Sequence, residues 1–178
     1  MSAKKKPTLL KTIRISETID SLLKKDAASK KTTTNALIHS ILTRYLEWDR
    51  FAERYGFISM TQDSFKTILD KIEDQKLVEA SKDLGTRVPK DIILFWFGKT
   101  GVSGFLKYLT LLSDYANFAE FEIAKDSTNY VITAHHNLGA KWSNYLKGLL
   151  ETGLKITTGI DGLTEVSKNS VVLSFRAL

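Results

Sequence analysis

The segment from Thr8 to Ser16, TLLKTIRIS, sets the strictest condition on how this chain can fold. It alternates apolar Ile13 and Ile15 with polar Lys11, Thr12, Arg14 and Ser16, the period of a β-strand. Everything from Glu17 to Gly56 carries helical spacing instead. A lone strand leaves its N–H and C=O groups without partners, and a two-stranded ribbon is marginal unless something packs on it. The segment therefore demands a partner that the neighbouring sequence does not contain.

The helices that follow are marked by their ends. Ser16 is placed to cap a first helix, with Glu17 and Asp20 in its first turn, where the positive end of the helix dipole favours acidic groups. Ile19, Leu22, Leu23 and Ala27 share one face of that helix. Thr32, Thr33, Thr34 and Asn35 supply a second cap. Beyond it Leu37, Ile38, Ile41, Leu42, Tyr45, Trp48, Phe51, Ala52 and Tyr55 make an uninterrupted apolar stripe that Gly56 stops. That stripe is too wide for one short partner helix to cover, which points to self-association.

Charge is distributed unevenly. Residues 1–55 carry 12 Lys/Arg against 6 Asp/Glu, whereas residues 56–178 carry 14 of each, so the net +6 sits entirely in the first part. A basic arm ahead of a balanced remainder suggests contact with a polyanion. Hydrophobic content of 43% and only two prolines indicate a folded chain rather than a disordered one. No apolar run approaches the roughly 20 residues needed to span a bilayer, and no apolar segment follows the basic N-terminus as in a secretory signal. With no cysteine there are no disulfides or thiolate metal sites, which fits a cytoplasmic protein.

Strand, helix, short turn and helix, with basic residues on the strand, resemble the ribbon-helix-helix DNA-binding domains of the Arc/MetJ/CopG type. The resemblance covers residues 10–46. It rests on Thr12-Ile13-Arg14-Ile15, Ser16-Glu17, Ala27, Lys30-Lys31-Thr32-Thr33 and Asn35-Ala36-Leu37-Ile38. Lys31 stands where the family has a turn glycine, so keeping the turn requires a left-handed lysine. Leu10 stands where a polar reader is usual. The resemblance implies a homodimer in which two strands pair antiparallel, with Ile13 and Ile15 turned inward. Leu10, Thr12 and Arg14 would then face the bases of a palindromic operator in double-stranded DNA. Thr33, Thr34 and Asn35 would hold a phosphate at the start of the second helix, and Lys4, Lys5, Lys6 and Lys11 would add backbone contacts.

From Phe57 the pattern changes. Phe57–Met60 reads as a short strand, the stretch from Thr61 to Gly85 as two helices, and Pro89 as the start of another helix ending near Gly98. AEFEIAK and NYVITAHH, joined by Asp-Ser-Thr, read as a β-hairpin. A helix closed by Gly153 follows, then two strands, LKITTGI and VVLSFRAL.

Weaker signals carry less. FGKTG lacks the glycine five positions before Gly98 that a phosphate loop needs, since Ile93 is there. His135 and His136 are adjacent and face opposite sides of a strand, so they do not readily share a metal. His136 and Trp142 mark a possible effector pocket, although Trp142 shares helical spacing with Leu146 and Leu149 and suits a core as well.

The expected fold class is therefore α+β: a ribbon-helix-helix domain over residues 1–55, with an extended second helix, then an α+β oligomerisation or effector domain over 57–178. The expected function is a homodimeric transcription regulator, with no catalysis, no cofactor and no membrane partner. A plasmid copy-control or partition protein, or an antitoxin with a toxin partner, are the alternatives.

Overall fold

A computed structural model of the chain describes residues 9–177. They divide into two compact units between Leu46 and Glu47. Among the described residues no helix is long and apolar enough to cross a membrane.

The first unit is helical: α1 spans Glu17–Ser29 and α2 spans Thr34–Arg44. The expected β-ribbon is absent, because residues 9–15 form no strand and the first regular element is α1. The physical reason is the one the pattern already posed. A strand is held by hydrogen bonds to a neighbour, and the described part of this unit contains only helices. Ile13 and Ile15, expected on a buried inner face, are instead 61% and 40% exposed. The chain is thus helix-rich with one antiparallel sheet near its C-terminus, rather than a fold that opens on a ribbon.

The stripe that the sequence runs unbroken to Tyr55 is interrupted by a π-helical turn at Tyr45–Asp49, after which α3 covers Arg50–Tyr55. Gly56, at φ +90°, ends α3 in the left-handed conformation that glycine adopts without penalty. Trp48 and Ala52 belong to the core of the second unit. Trp48 lies against Phe57, Trp96 and Tyr115, with ring centroids 4.9–6.0 Å away. Glu47 joins them, accepting from Trp96 Nε1 at 3.1 Å through its carbonyl and from Tyr115 Oη at 2.8 Å through its carboxylate.

The remaining elements are α4 (Gln62–Lys71), α5 (Asp74–Phe97), α6 (Val102–Tyr115), β1 (Glu120–Asp126), β2 (Asn129–His135), α7 (Ala140–Thr158), β3 (Leu163–Val166) and β4 (Ser170–Arg176). The strands form one antiparallel sheet in the order β1-β2-β4-β3. Alternation places Tyr130, Ile132, Ala134, Val171, Leu173 and Phe175 in the core, with the helices on that side. Lys141 on α7 ties down the end of α4, donating to the carbonyls of Asp70 at 3.2 Å and Ile72 at 2.5 Å.

Four local expectations are corrected here. Phe57–Met60 pairs with no neighbour and forms no strand. Pro89 does not start a helix but lies inside α5, and Gly153 does not close one but lies inside α7, which Gly159 ends at φ +77°. Lys155–Thr158, expected as strand, is the last turn of α7.

All but the first share one cause, the close approach of α5 to α7. A Cβ on Gly153 would come within 3.0 Å of Pro89 Cγ, and one on Gly85 within 2.8 Å of Thr152 Cβ. Once the two backbones lie this close, Gly153 and Pro89 occupy each other's space, and tertiary packing outweighs propensity. Thr157 and Thr158 then return their hydroxyls to the carbonyls of Gly153 and Leu154, at 2.6 and 2.7 Å.

The tightest point is Gly148, where an added Cβ would fall on Ser81 Oγ, itself fully buried. Gly148→Ala is expected to destabilise the chain by about 2–3 kcal/mol, measured as a fall in the urea midpoint. Adding Ser81→Ala to it is expected to restore part of that loss, because the nearest remaining side-chain atom would be Ser81 Cβ at 3.1 Å.

Candidate functional site

The residues singled out for DNA contact lie in the first unit, and its helix ends determine what they can do. Ser16 caps α1 with φ −69° and ψ 154°, its Oγ accepting from Ile19 N–H at 3.3 Å. At the other end Thr32 N–H donates to Ala27 O at 2.9 Å and Lys31 N–H to Ala28 O at 3.1 Å. This is the paired closure of a helix whose next residue turns left-handed. That residue is Lys31, at φ +52°, the conformation the missing glycine implied. Thr33 caps α2, its Oγ1 accepting from Ala36 N–H at 3.1 Å.

The placement of each named residue follows. Leu10 is 95% exposed, and Lys11, Thr12 and Arg14 are exposed beside it. Lys4, Lys5 and Lys6 lie outside the described residues. Among the phosphate candidates, Thr33 is exposed but its hydroxyl is engaged as the cap, Thr34 is half-buried and Asn35 is exposed. Thr34 and Asn35 occupy the first two helical positions, whose N–H groups have no acceptor within the helix. Lys24 and Lys30 are held by Asp20 and Asp26 at 2.7 and 2.8 Å. Lys11 and Arg14 form no ion pair with any described residue, so their charge is available to an external anion.

The same unit buries little apolar surface. Ala27 and Leu37 are its only buried hydrophobic residues among those described, while Ile19, Leu22, Ile41, Leu42, Tyr45 and Leu46 are 48–62% exposed. An exposed apolar set of this density is more than a single small unit buries by itself.

The other predicted pocket lies in the second unit and is divided by the structure. A cleft of about 630 Å³ is lined by Gln62, Asp114, Asn117, Glu120, His135 and His136, among others. Trp142 is not part of it. Its indole is 3% exposed, donates to Phe118 O at 3.1 Å, and stacks on Tyr145 at 4.7 Å with Phe65 and Phe118 edge-on.

His136 is fixed from both nitrogens. Its Nδ1 accepts from Leu138 N–H at 3.2 Å, so the proton of the neutral ring sits on Nε2 and points at Ser143 Oγ, 2.8 Å away. Ser143 in turn donates to Lys168 O at 3.1 Å. The ring therefore gives a proton to the serine rather than taking one, and Ser143 is fully buried, so the pair does not make a hydroxyl nucleophile. It is a strut from the end of β2 through α7 to the β3–β4 loop. Asn169 adds two further bonds to this strut, accepting from His136 N–H and Gly139 N–H at 3.0 and 3.1 Å. Lys168 and Asn169 carry no signal of this role in the sequence, because loop residues so distant along the chain meet His136 only after the sheet forms. No group of three or more His, Asp or Glu side chains among the described residues could hold a metal ion.

Two measurements check these contacts. Lys31→Gly is expected to stabilise the chain by about 0.5–1 kcal/mol, since a left-handed lysine costs about 1–2 kcal/mol and glycine's chain entropy offsets part of the gain. Burial, and then the neighbouring His135, lower the pKa of His136 below its ordinary value near 6.5. The neutral ring is thus the form the fold favours, and its contribution is present above about pH 6.5 and lost as pH falls through the lowered value. The stability difference between wild type and His136→Gln is therefore expected to shrink between about pH 7.5 and 5, read from urea midpoints.

No family model matches the chain, and no curated protein matches it.

Proposed function

We propose that this chain is a sequence-specific DNA-binding transcription regulator that acts as a homodimer through its first unit. The observation that carries the reading is the pairing, within one small unit, of two uncompensated exposed cations with an apolar face too large for a monomer. Lys11 and Arg14 stand exposed beside Leu10 and Thr12, directly before a capped helix, and α2 offers N–H groups at its start. Ile19, Leu22, Ile41 and Leu42 need cover, and a second copy supplies an equal apolar face by two-fold symmetry. The left-handed turn at Lys31 supports the resemblance to the ribbon-helix-helix family, because it keeps the helix hairpin that the family uses. In this reading Arg14 and Thr12 read bases, Leu10 makes an apolar contact, and Lys11 with the start of α2 binds phosphates. Regulation would follow from occupying a palindromic operator.

Selection of bound sequences from a random duplex pool tests the reading and is expected to return a palindrome. Arg14→Ala is expected to weaken binding to that site by about 1–3 kcal/mol while relaxing preference at one base position in each half-site. Lys11→Ala is expected to weaken all sequences alike and to reduce the salt slope by about one. Failure of the pool to enrich any sequence would remove the proposal. Leu22→Asp is expected to lower the mass seen in sedimentation and to abolish operator binding with it.

A further inference from the structure

Within the second unit, no described element packs on the face of the sheet turned away from the helices. Its central strands present Val131, Thr133, Val172 and Ser174, in register as Thr133 opposite Val172 and Val131 opposite Ser174. Val131 is 41% exposed. An open antiparallel face ordinarily carries long polar side chains toward water. Here the middle of the sheet is made of short side chains, two valines with Thr133 and Ser174.

The rim is different. Glu120 and Glu122 stand on the outer side of β1, opposite His135 and Thr133, and Glu165 stands on the outer side of β3, opposite Val172. None of these carboxylates forms an ion pair with a described residue. The strongest cation on the same face is Arg176, whose Nε already donates to Thr128 Oγ1 at 3.3 Å. Across one row the order is Glu122, Thr133, Val172, Glu165: a short, uncharged centre between two negative edges.

We infer that this face docks a basic amphipathic helix of a protein partner, with the helix's apolar side on the Val131–Val172 strip and its Lys or Arg side chains on the carboxylate rims. A second copy of the chain is the obvious competitor, and the charge on the rim disfavours it. A two-fold axis parallel to the strands stacks β1 on the partner's β3, and one perpendicular to them stacks β1 on β1. Either way carboxylate meets carboxylate. A helix fits better: β1 and β3 are about 14 Å apart across three strand spacings, and a helix with its side chains is about 10–12 Å wide. Nucleic acid is disfavoured by the same negative rim.

The test uses the full chain and a fluorescent amphipathic peptide of about 18 residues built from Leu, Ala and Lys, with a Glu-containing analogue as control. The Lys peptide is expected to bind and to shift the backbone amide resonances of β2 and β4, and the Glu analogue is expected not to bind. The double reversal Glu122→Lys with Glu165→Lys touches only exposed side chains. It is expected to weaken the Lys peptide at least about tenfold and to admit the Glu analogue. The inference is overturned if the Lys peptide fails to bind, if reversal leaves its affinity unchanged, or if the shifts map elsewhere. It is also overturned if Val131→Arg lowers the sedimenting mass, since the occupant would then be a second copy.

Discussion

The contact between α5 and α7 is the constraint on which the second unit depends. Ser81, Gly85 and Pro89 on one helix meet Gly148, Thr152 and Gly153 on the other so closely that backbone faces backbone with little side chain between. Such an approach maximises dispersion between the helices and leaves their longer side chains free to point elsewhere. Leu146, Leu150 and Leu154 are all at most 2% exposed. With α5 and α7 joined as one layer, the sheet has a continuous apolar surface to lie on, and the hairpin and the β3–β4 pair can close against it.

The first unit is organised on the opposite principle. Its order comes from helix ends: Ser16 and Thr33 as caps, the two acidic residues of the first turn of α1, and the closure at Lys30–Lys31. These are local bonds, each worth about 1 kcal/mol, and together they define a helical hairpin without filling a core. A hairpin so built keeps its shape through short-range geometry and leaves its apolar side chains largely exposed.

What could be read from the sequence was local, and what could not was set by contacts distant along the chain. The caps, the left-handed Lys31 and the β1–β2 hairpin follow from residues close together, and the structure has them where the spacing puts them. Pro89 and Gly153 misled because each ordinarily ends a helix, and only their mutual contact explains why neither does. The Lys155–Thr158 stretch is rich in β-branched residues and reads as strand until Leu154 is seen buried beneath it. The alternation at Ile13 and Ile15 is genuine, yet a period-two pattern states only what a segment could pair as, not whether a neighbour is present. At the candidate site the exposure of Lys11, Thr12 and Arg14 follows from their polarity and charge. The strut around His136 was not legible, because Asn169 and Lys168 reach it from another loop.

The carboxylates on β1 have one more effect, on the behaviour of the chain before it is fully folded. β1 is an edge strand of seven residues, long enough to template growth of a sheet from one molecule to the next. Glu120, Glu122, Lys125 and Asp126 place charge at four of its seven positions, and an identical strand arriving from another molecule would have to bring those charges out of water alongside its own. The opposite edge, β3, is guarded by brevity, with only four residues. Crowded nascent chains are thereby steered away from fibrous stacking, and the sheet can wait exposed on one face without joining its neighbours.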